Sequence, residues 1–89
     1  MSTLARDPHV DALDRAVDRL RDLADGYAID HPERSPIEAA RDRLASYALA
    51  ARNLAAAGVS TERLAELVER GWHDAARVFE AARVPEHAP

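Results

Sequence analysis

Apolar residues recur at steps of three and four in three separate stretches of this chain. The first carries Val10, Leu13, Val17, Leu20, Ala24 and Tyr27, and the second Ile37, Ala40, Leu44, Tyr47, Ala51 and Leu54. The third runs Leu64, Val68, Trp72, Ala75, Phe79 and Ala82. Such spacing places one side chain per turn on a single stripe, so each stretch predicts an amphipathic helix. Three stripes of similar length can bury one another. The pattern therefore predicts an all-α fold, a small up-down-up three-helix bundle with helices at about 8–25, 36–57 and 61–83. The alternative is a hairpin of the second and third helices, with the first docked across it or swapped into a second chain.

Helix punctuation agrees with these limits. Asp7 before Pro8 reads as an N-cap with proline at the first helical position, where its missing N–H costs nothing. Gly26 is the expected left-handed terminator of helix 1, and Pro32 bars continuation. Between them and helix 2, Tyr27 and Ile29 are expected to fold back over the core edge. Ser35-Pro36-Ile37-Glu38 has the form of a capping box, with serine as cap and Glu38 reaching back. Gly58 closes helix 2, Val59 and Ser60 make a tight link, and Ser60 caps helix 3. Residues 1–89 read as one domain, with 1–6 and 85–89 expected to be loose ends.

Composition narrows the classes. Large apolar side chains are scarce, with one Trp, one Phe, two Tyr and one Met, and alanine supplies much of the 47% hydrophobic content. So thin a core predicts a marginal monomer, for which self-association is a remedy, and a homodimer is expected. The absence of cysteine excludes disulfides, thiolate metal sites and thiol nucleophiles. No apolar run approaches the roughly 20 residues that span a bilayer, and the start of the chain has no signal-peptide core, so no membrane partner and a cytoplasmic location are expected. All 12 basic residues are Arg, with no Lys, a bias expected of a GC-rich bacterial genome. The net charge of −4 is opposite to the footprint of a nucleic-acid binder, which disfavours DNA.

Several constellations are candidates for function. Asp11, Asp14, Asp18, Asp22 and Asp25, with Asp7, form an acidic ridge opposite the apolar stripe of helix 1. It reads as a solvated face relieved by Arg15, Arg19 and Arg21, or as an edge that attracts a basic partner. Helix 3 carries Glu62, Glu66, Glu69, His73 and Glu80 along one side. The paired Glu-x-x-His motifs of a di-iron bundle are missing, and His9, His31, His73 and His87 fall in different elements. No metal, cofactor or catalytic set is expected. Gly71, in mid-helix beside Trp72 and His73, marks either a close helix approach or a small pocket. The second half of helix 2 is apolar on nearly all sides, so Ala45, Leu49 and Ala56 are the expected interface with a second copy or a partner protein.

Ala57-Gly58-Val59-Ser60-Thr61, followed by Leu64 and Leu67, resembles the turn and recognition helix of helix-turn-helix regulators, nearest the LacI-like and MerR-like families. That resemblance implies DNA reading through residues 58–70, with Ser60 at phosphate and Thr61, Glu62, Arg63 and Glu66 facing the major groove. Val10-Asp11-Ala12-Leu13-Asp14 and Pro32-Glu33-Arg34 are similar to segments of the all-helical chorismate mutases, which implies a dimeric helical-bundle enzyme, here with a pocket near Trp72. The catalytic lysine of that family has no counterpart in this chain, so no catalytic residue carries over. The reading the residues favour is a non-enzymatic accessory or regulatory subunit that works by helix-on-helix docking.

Overall fold

A computed structural model describes residues 7–83, so the expectations for both chain ends lie outside the described residues. Three helices fill this span: α1 (Pro8–Asp25), α2 (Arg34–Ala56) and α3 (Thr61–Arg83). They form a small all-α three-helix bundle whose shared element is α2, since α1 and α3 each pack extensively on α2 and only lightly on each other. The topology is up-down-up. Asp7 at the start of α1 meets Thr61 at the start of α3, and Arg52 near the end of α2 reaches Asp14 on α1.

The predicted stripes form the core, except that Leu54, Trp72 and Ala82 are exposed. Leu13 and Leu44 are its largest fully buried side chains, joined by Val10, Val17, Leu64 and Val68 and by the alanines 40, 48, 51 and 75. Leu20, Tyr47, Leu67 and Phe79 pack partly buried against this cluster. Because alanines occupy so many interior positions, the helices approach closely but each contact removes little apolar area from water.

Local chemistry fixes the helix ends. The Asp7 Oδ1 accepts the N–H groups of His9 (2.8 Å) and Val10 (3.3 Å), the expected N-cap. Ser60 caps α3, its Oγ accepting the Arg63 N–H at 3.3 Å. After α2, Gly58 takes φ 90°, which lets its N–H reach the Ala55 carbonyl while the Val59 N–H reaches Leu54. This is a complete Schellman closure, and it is why glycine stands there.

The loop before α2 departs from expectation. Helix α2 begins at Arg34, two residues earlier than the capping box places it, and its N-cap, Glu33, lies in the right-handed helical region without a side-chain cap. Arg34 explains the shift. Its guanidinium donates to the Tyr27 carbonyl (2.8 Å), to Glu38 (2.9 Å) and to Asp25 (3.5 Å), stitching the loop to the first helical turn. Glu38 is thereby drawn away from the reciprocal cap that the sequence suggests. Pro36 then falls inside the first turn, where its missing N–H still sacrifices no intrahelical bond, and its ring is fully buried. Gly26 is not left-handed but continues the helical conformation at φ −76°. Tyr27 is half-buried, as expected, and stacks obliquely on His31 at 4.7 Å, whereas Ile29 is 88% exposed.

Candidate functional site

The two flanks of α2 that hold its neighbours are set by named contacts. Arg43 and Tyr47 donate to Asp74 on α3 (2.6 and 3.2 Å), and Arg52 donates to Asp14 on α1 (2.7 Å). Residues 43 and 52 are nine apart, about 180° round a helix of 3.6 residues per turn. The bundle is therefore an open layer with α2 in the middle. We call the side that carries these ion pairs the back.

On the back, the middle helix presents the residues expected to form an interface. Ala45, Leu49 and Ala56 are all exposed, Leu49 by 55%. Beside them runs a furrow of about 420 Å³ between α1 and α2, lined by Asp14, Val17, Asp18, Arg21, Ala45 and Arg52 among others. The acidic ridge thus borders the alanine–leucine face directly, a juxtaposition that periodicity within single helices does not reveal. Within the ridge the carboxylates differ. Asp14 pairs with Arg52, Asp18 with Arg21 and Asp25 with Arg34, while Asp22 is exposed and Asp11 half-buried. Asp7 is consumed as the cap and also accepts the Thr61 hydroxyl at 2.8 Å.

Two carboxyls have clearly displaced acidities. Partial burial pushes Asp7 upward, but hydrogen bonds from Thr61, His9 and Val10 outweigh it and hold the group below its usual value. The hydrogen bond from Arg43 holds Asp74 low against an opposing effect of desolvation, helped by Tyr47 and Arg77. Both shifts belong to helix-to-helix ties. A hollow of about 580 Å³ is lined by Arg43 and Arg77, both paired with Asp74, and also by His73 and Glu80.

The Gly71, Trp72 and His73 triplet divides between two sides. Gly71 is buried against α2, where an added Cβ would stand 2.9 Å from the Tyr47 Cγ, so close packing accounts for this glycine. It does not line the pocket suggested for it. Trp72 and His73 do border a recess of about 300 Å³, together with His9, Ala65, Val68 and Glu69. No group of three or more potential metal-binding side chains occurs among the described residues. In the turn that resembles a DNA reader, Glu62, Arg63 and Glu66 are exposed, and the Thr61 hydroxyl is engaged by Asp7. No described helix is long and apolar enough to cross a membrane. The chain matches no protein-family model, and no curated protein or solved structure is detectably similar to it.

Proposed function

We propose that this chain is a small docking protein that seats a helix of a partner protein along its back, in the furrow between α1 and α2. The observation that carries the reading is Leu49, a large apolar side chain 55% exposed on an alanine-rich face. Exposed Ala45 and Ala56 on the same face allow a second helix to approach to about 8–10 Å between axes. The ridge beside it carries exposed Asp22 together with Asp14 and Asp18, each of which meets an arginine through its Oδ1, so the fitting partner is an amphipathic helix with an apolar stripe edged by Arg or Lys. Leu49 would act as the anchor and the carboxylates would select charge and register.

The test uses two synthetic helical peptides of equal apolar stripe, one edged with basic residues and the other with acidic ones. Fluorescence anisotropy should show binding of the basic peptide alone, weakening as salt rises. The Leu49→Asp variant should lose that binding while keeping its helical content. Equal affinity for both peptides, or an unchanged affinity in Leu49→Asp, would refute the reading.

A further inference from the structure

The opposite side of the layer, the front, differs from the back in how its charges are used. Trp72 stands two residues before Asp74, about 160° from it round α3, and Leu23 stands nine residues after Asp14, about 180° from it round α1. Trp72 and Leu23 therefore flank the front, where they are 43% and 51% exposed. Leu20 and Phe79 lie between them and the core. Exposed Ala76 and half-buried Ala16 and Ala65 leave these flanks smooth enough for close packing.

Charge supplies the second observation. On the back, Asp14 and Asp74 are both engaged by arginines of α2. At the front edges, Arg15 and Arg19 on α1 and Glu62, Glu69 and Glu80 on α3 have no ion-pair partner among the described residues. One edge of the front thus carries Arg15 and Arg19 and the other Glu62, Glu69 and Glu80, on helices that run parallel, with Arg83 over the Phe79 ring at the far end of the second edge.

We propose that the front is a self-association surface whose occupant is a second copy of this chain. A two-fold axis parallel to the helices sets α1 of one chain against α3 of the other, and a surface with one basic and one acidic edge satisfies itself under that rotation. The register also fits. The Asp7–Thr61 contact, 54 residues apart in sequence, sets Arg15 level with Glu69. A two-fold along the helices preserves height, so Arg15 and Arg19 of one chain meet Glu69 of its mate. Trp72 and Leu23 are covered in the same contact. This surface is separate from the one on the back, and each has its own test.

The experiment compares three full-length chains by sedimentation velocity: wild type, Arg15→Glu/Arg19→Glu, and Glu69→Arg. Wild type should associate with a midpoint of roughly 10–100 μM, an ordinary weak-dimer range. Each charge-reversed chain should associate at least tenfold more weakly, because both symmetric contacts become repulsive. An equimolar mixture of the two altered chains should recover wild-type association, since both contacts in the mixed pair regain opposite charge. Trp72 is the one tryptophan, so its emission should shift to the blue on association. Leu49→Asp should leave this dimer intact. A monomer throughout the range, a mixture that fails to recover, or a dimer lost in Leu49→Asp would each overturn the proposal.

Discussion

Replacing Gly71 with alanine sets two effects of known size against each other. In a free helix the change is favourable by about 1 kcal/mol, because glycine is a poor helix former. Here the new methyl would lie 2.9 Å from the Tyr47 Cγ, 3.1 Å from its Cβ and 3.2 Å from its Cδ1. These are stiff parts of the side chain, so Tyr47 or the whole of α2 must move. Overpacking of this kind costs about 1–3 kcal/mol. A displaced Tyr47 also loses its hydrogen bond to Asp74, worth a further ~1 kcal/mol at a partly exposed site. The net expectation is a loss of about 1–3 kcal/mol. Urea denaturation followed by circular dichroism reads this as a midpoint lower by about 1–3 M, given a slope near 1 kcal/mol/M for so small a domain. The same substitution in a Tyr47→Ala background has only the Cβ contact left, and there Gly71→Ala should be neutral or stabilising. If Gly71→Ala raises the stability of the otherwise wild-type chain, the close approach of α2 and α3 at this point is wrong.

Three further outcomes test the local arguments. Gly58→Ala forces a side chain into φ 90° and should destabilise by about 1–2 kcal/mol in the same denaturation assay, although nothing lies within 4 Å of the added atom. Ser60→Ala should cost about 1 kcal/mol through the lost cap, whereas Ser35→Ala should change the midpoint little, because Ser35 caps nothing. Asp7 and Asp74 both titrate in the folded state below their ordinary value of 3.8, so the unfolded chain binds more protons there. Their contribution is complete above about pH 4 and drains away as the pH falls through the lowered folded values. Asp7→Asn and Asp74→Asn should each flatten the acid limb of stability against pH, and an unchanged limb would contradict the two ties.

Much of this architecture is legible in a single sequence because it is dictated by short-range chemistry. The stripe of Leu13 and Val17, the Asp7-Pro8 start and the Gly58-Val59-Ser60 link involve residues within a turn or two of one another. Ser35 shows where local reading fails. Its capping signal is sound by itself, but Arg34 draws Glu38 away and ties the loop to Tyr27 and Asp25, so the helix starts earlier. Gly71 shows a different limit. Its reason is the Tyr47 ring, which only the packing of two helices brings there. The candidate face at Ala45, Leu49 and Ala56 was readable from its apolar excess. That it adjoins the carboxylates of α1 was not, because adjacency depends on which flank of α2 receives Asp14, a choice made by Arg52 38 residues away. The asymmetry between paired charges on the back and unpaired ones on the front is likewise a property of the assembled layer.

Both docking surfaces exist only if α1 and α3 run parallel on opposite flanks of α2. A carbon-13-edited nuclear Overhauser spectrum of the unmodified chain measures this directly. Cross-peaks between the Asp7 and Thr61 side chains, together with cross-peaks from the Tyr47 ring to the Gly71 α-protons, are the expected result. A spectrum in which the Tyr47 ring contacts α1 and Thr61 shows no connection to Asp7 would contradict the arrangement and remove the basis for both surfaces.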